Sequence, residues 1–146
     1  MRILAMFLLC CLATGLWAEP ADTLVCKNDL SREQLTAVLR NLYLSVGQSD
    51  LAWVSAADSL DAGTVCQADI VRAFPADEEI VILTLNREQL HTHFGSSLDP
   101  GEAYIVRVAL GEADAQEIIE RFALPDMRIK RTGKRVHEIV RHWLRP

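Results

Sequence analysis

The stretch Glu78–Leu110, EEIVILTLNREQLHTHFGSSLDPGEAYIVRVAL, decides how the chain is read. Two apolar runs rich in β-branched residues, Ile80–Leu85 and Ala103–Leu110, bracket a short polar segment that carries His91 and His93. The first run lacks polar alternation, as expected of a central strand buried on both faces, and the acidic turn Asp77-Glu78-Glu79 bounds it. The second alternates Tyr104, Val106 and Val108 with Ile105, Arg107 and Ala109, so one face meets Arg107. Between them Asn86 and Gln89 stand at capping-box positions and Gly95 ends a short helix. Asp99-Pro100-Gly101 makes the next turn. The 17 residues from Asn86 to Glu102 are long enough for a crossover, which permits the two strands to run parallel.

N-terminal to this unit, Thr23–Cys26 reads as an extended leading segment. Ser31 and Gln34 form a capping box for a helix over Ser31–Val46, with Leu35, Val38, Leu39, Leu42 and Val46 as its apolar stripe. Gly47 follows where a left-handed residue is wanted. A second helix is expected over Asp50–Leu60, capped by Ser49 and ended by Gly63. A third is expected over Val65–Phe74, stopped by Pro75, although Cys66, Ala68 and Ile70 also alternate as a strand would. C-terminal to the unit, Glu112–Leu124 carries the stripe Ala115, Ile118, Ile119 and Phe122, and Pro125 closes it. Met127–Arg131 alternates apolar and basic residues, like an edge strand protected by charge. Thr132 then starts a last helix, Gly133–Leu144, with Val136, Ile139, Val140, Trp143 and Leu144 on one face. LSREQL at Leu30–Leu35 and LNREQL at Leu85–Leu90 share only the pattern of a helix start and do not mark a repeat.

The 146 residues suit one domain. Half are hydrophobic and 24% are charged, which excludes the disorder signature. The net charge of −5 argues against nucleic-acid binding by the whole molecule. That average hides an asymmetry. Glu19–Asp126 holds 19 acidic and 7 basic residues, a net of −12, whereas Met127–Pro146 holds 7 basic residues against Glu138, a net of +6. At the other end, Arg2 precedes ILAMFLLCCLATGLWA, a short apolar run with small residues at its close. This pattern matches a secretory signal peptide over residues 1–18, cut after Ala18. Export then leaves two cysteines, Cys26 and Cys66, which are expected to form one disulfide. It would close a loop of about 40 residues and contribute about 3–4 kcal/mol.

No motif assembles a reaction. On a helix His91 and His93 point roughly 200° apart, which denies one metal ion both rings; only an extended segment would join them to a carboxylate such as Asp99. Asp58-x-x-Asp61-x-Gly63 puts Leu60 and Ala62 at the ligand positions of a calcium loop, which fails. No phosphate-binding Gly-rich loop, Gly-x-Ser-x-Gly elbow or Cys-x-x-Cys is present.

The expectation is an α+β domain over residues 19–146: a small mixed sheet of two to four strands, about four to five helices, one Cys26–Cys66 disulfide and a basic C-terminal helix. Its expected place is the periplasm. Its expected role is non-enzymatic protein interaction through charged surfaces, as an adaptor, secretion accessory, inhibitor or immunity-type protein, with no cofactor. Lys134, Arg135, Arg141 and Trp143 are the candidate residues for contact with another exported protein, and the same amphipathic helix would suit an anionic membrane surface. The alternative is a small metal-binding protein or hydrolase that uses His91, His93 and nearby carboxylates.

Overall fold

The computed structural model describes residues 23–146. The expected signal peptide, with Cys10, Cys11 and Ala18, lies outside the described residues. The chain runs β1 (Leu24–Cys26), α1 (Arg32–Gly47), β2 (Leu51–Trp53), β3 (Gly63–Val65), α2 (Gln67–Ala73), β4 (Glu79–Asn86), α3 (Arg87–Phe94), β5 (Ile105–Gly111), α4 (Glu112–Phe122), a 3₁₀ turn (Asp126–Arg128), β6 (Ile129–Arg135) and α5 (Val136–Leu144). It is an α+β fold with a two-stranded sheet, β1-β3, and a four-stranded mixed sheet in the order β2-β5-β4-β6.

The quoted stretch is the centre of that sheet. The expectation of buried faces on both sides of its first run holds for β4. Ile80 and Ile82 join one core with Leu35, Leu39 and Tyr43 of α1, Ile70 of α2, and Val136, Val140 and Leu144 of α5. Val81, Leu83 and Leu85 join the other core with Leu90 of α3, Val106, Val108 and Leu110 of β5, and Ala115 and Ile118 of α4. β4 and β5 are antiparallel, with Asn86 opposite Ile105, so the permitted crossover is not made. α3 and its loop return the chain to the end of the sheet it had just left. The parallel pair is β2 with β5.

Several boundaries differ from expectation for identifiable reasons. Asp50–Leu60 is not a helix. Its start is β2, fastened to β5 by Asp50 N donating to the Arg107 carbonyl (2.9 Å) and by the Asp50 carboxylate accepting from Arg107 N (2.9 Å). Trp53 and Val54 suit a pleated sheet better than a helix, and the sheet edge overrides the alanines that follow. The third helix is shorter than Val65–Phe74, because Gly63–Val65 is β3 and Cys66 is the N-cap. β6 begins at Ile129, and Thr132 does not start the last helix. Its hydroxyl donates to the Ile80 carbonyl (2.6 Å) inside a bulge that also holds Gly133 at φ +71°. α5 therefore starts at Val136. Gly47 is helical, and Gln48 takes the left-handed position at φ 51°. Glycine is needed at 47 for another reason: a Cβ there would lie 1.8 Å from Ile82 Cδ1.

The expected disulfide is absent. β1 and β3 pair with Cys26 opposite Gly63, which leaves Cys66 three residues further along the chain, in extended backbone just past the end of β3. That is a displacement of about 10 Å at a strand's rise, beyond the roughly 7 Å that two bridged Cα atoms tolerate. Cys26 is a buried thiol that donates to the Asn28 carbonyl (3.1 Å), and Cys66 is an exposed thiol.

Candidate binding surface

The topology places the acidic turn Asp77-Glu78-Glu79 where three elements end. β5 and β6 both run antiparallel to β4, so their C-terminal ends arrive on either side of its start. Each then enters a helix from a residue whose side chain makes no cap, Gly111 for α4 and Arg135 for α5. The turn supplies what those residues lack. Glu78 Oε2 accepts from Ala113 N (3.1 Å), and Asp77 Oδ1 accepts from His137 N (3.0 Å). The Glu78 carbonyl accepts from Val136 N (3.0 Å). Glu79 Oε1 accepts from Gly133 N (3.0 Å) and so holds the bulge of β6. Asp77 and Glu78 are thus fold-forming anions at positive helix ends, and Glu79 is one at the bulge.

His137, which the sequence reading passed over, is the buried polar side chain beside this turn, 8% exposed. Its Nε2 lies 2.6 Å from the Phe74 carbonyl, which can only accept, so that nitrogen carries the hydrogen. Nδ1 lies 3.6 Å from the Asp77 carboxylate. No local sequence signal marks this arrangement, because its partners are 63 and 60 residues away.

His91 and His93 do not meet. His91 lies exposed beside a small hollow with Arg87, Gly95 and Leu98. His93 stacks edge-on against Phe94 and has its Nδ1 3.3 Å from an Arg121 nitrogen. It faces α4, where Asp114 has its carboxyl pushed above the ordinary range by burial and by Glu117, with His93 opposing. Among the described residues no group of three or more His, Cys, Asp or Glu is arranged to hold a metal.

The four residues expected to meet a partner are all held within the domain. Lys134 Nζ donates to Glu138 Oε1 (2.8 Å). That bond, with one from Arg135 N, holds the Glu138 carboxyl below its ordinary range. Arg135 pairs with Asp77 at 3.6 Å. Arg141 bonds the Gln67 side chain, and Trp143 is half-buried against the core. The face that remains open is a groove of about 530 Å³ between α1 and α5. Leu42 and Val46 of α1, both half-buried, and Ile139 of α5 give it aliphatic walls. Lys134 at the end of β6 and Glu138 and His142 of α5 stand at its rim, and Ser45 and Arg145 complete the lining. Another hollow, of about 560 Å³, abuts Thr23, the first described residue.

Fold and surface together define a mixed-sheet α+β domain with helices on both faces and an aliphatic groove edged by cations. No family model matches the chain, and no curated protein is detectably similar to it.

Proposed function

We propose that the chain is an exported, non-enzymatic interaction domain that binds another exported protein in the groove between α1 and α5. The observation that carries this reading is the groove: half-exposed aliphatic walls beneath a cationic rim, on a body that is otherwise acidic. Fields of opposite sign on one small molecule orient an approaching charged partner and raise its association rate. A protein partner is favoured over a membrane surface because the apolar face of α5 is already spent. Val136, Val140 and Leu144 are buried in the core and are not free to enter lipid. In this reading Arg135, Arg141 and Trp143 fix α5 to the body, and Lys134 with His142 meets the partner. Nothing in the surroundings of His91 and His93 favours the metal-binding alternative.

The test is a photo-reactive benzoyl-phenylalanine placed at Ser45 in the groove or at Thr92 on the exposed face of α3. A discrete cross-linked adduct in intact cells is expected from position 45 and not from 92; the reverse pattern removes the groove from the account. Export is checked separately by fusing residues 1–26 to alkaline phosphatase and by sequencing the mature N-terminus, expected at Glu19.

A further inference from the structure

We infer that the occupant of this groove is an acidic amphipathic helix of the partner protein; the inference rests on the groove being the binding face. Two helices that flank an aliphatic groove receive a third helix by the same ridge-and-groove packing that joins helices within a domain. Leu42 and Val46, one turn apart on α1, are the half-exposed surfaces such a helix would bury, beside the already buried Ile139 of α5. The α1 wall requires no polar partner, since Ser45 Oγ already donates to the Leu42 carbonyl (2.9 Å).

The rim sets the charge. Lys134, at the end of β6, and Arg145, just past α5, line it as cations. Glu138 lies between them and is bonded to Lys134. Lys130, opposite Ile82 in the register, is exposed on the same face of the sheet. Carboxylates on the incoming helix complement these cations. An incoming strand is disfavoured, because the edge strand β6 is bulged and charged. A second copy is disfavoured as well. Its α5 brings the same cations, and its acidic α4 has Ala115 and Ile118 buried in its own core.

The test pans a displayed library of helical peptides, with a fixed leucine stripe and randomised flanks, against the protein purified from the exporting cell. The expected binders carry Glu or Asp on the flanks. They bind at least ten-fold more weakly to the exposed-site double variant Lys134→Glu/His142→Glu and are lost on Val46→Glu. If Val46→Glu does not fold by circular dichroism, Ser45→Trp, which fills the groove from the exposed rim without adding charge, replaces it. Binders that need the groove but carry neutral or basic flanks overturn the acidic occupant and leave the groove reading intact. Binders indifferent to both groove variants, or no saturable binder, overturn the groove itself. A concentration-dependent dimer abolished by the groove variants replaces the partner helix with a second copy.

Discussion

Asp77, Glu78 and Glu79 show how much a single side chain decides here. Glu78→Ala should remove the cap of α4 and Asp77→Ala that of α5, each at a cost of about 1 kcal/mol in urea unfolding. Hydrogen exchange should assign the losses separately, with Ala113 N accelerated in the first variant and His137 N in the second. These roles were invisible in the sequence, because Glu78 and Asp77 bond helix N–H groups 35 and 60 residues away and Glu79 bonds the bulge 54 residues away. Local caps, by contrast, were plain. Ser31 with Gln34 and Asn86 with Gln89 form the reciprocal bonds their spacing implies. Asp69 makes a further local cap. It accepts from Cys66 N (2.9 Å), which with the Cys66 side chain holds its carboxyl below the usual value of 3.8. A carboxyl with a lowered folded pKa adds stability above its unfolded value and loses it on acidification. Asp69→Asn should therefore be less stable than the parent near pH 6, with the gap closing as pH falls through and below 3.8. A gap that widens in acid would contradict this cap.

At the scale of elements, the packing of α1 on β4 is governed by Gly47. Gly47→Ala gains helix propensity of roughly 1 kcal/mol but forces a methyl into Ile82, and overpacking costs about 1–3 kcal/mol. A net loss of stability is expected, and Ile82→Val, which removes Cδ1, should relieve it. The double variant should lose less than the sum of the single changes. The sequence displayed Gly47 as a helix stop, since nothing local announces a close approach to a residue 35 positions away. Long, uniform elements were legible: α1, β4, α3 and α4 are all foreseeable from periodicity and caps. Short ones were not. β2 and β3 are three residues each and exist only because β5 and β1 lie beside them. Runs of three residues have no period to read.

Across the whole molecule, the distribution of charge was legible and its use was not. The +6 segment suggested a cationic patch, yet Lys134, Arg135 and Arg141 each have a partner within the domain, and only the fold reveals the groove that Lys134 edges. The cysteines teach the same lesson. Their even number after export suggested a bridge, and the β1–β3 register keeps them apart. A maleimide reagent should label Cys66 in the native protein without prior reduction and reach Cys26 only in denaturant. Silence of both thiols until reduction would contradict the register. The central claim, that this domain works through the groove between α1 and α5, is tested most directly by nuclear magnetic resonance of the protein titrated with its tightest library-selected acidic peptide. Shifts confined to Leu42–Val46 and Lys134–His142 are predicted. Shifts centred instead on the exposed Tyr104–Ile105 pair or on α3 would contradict it.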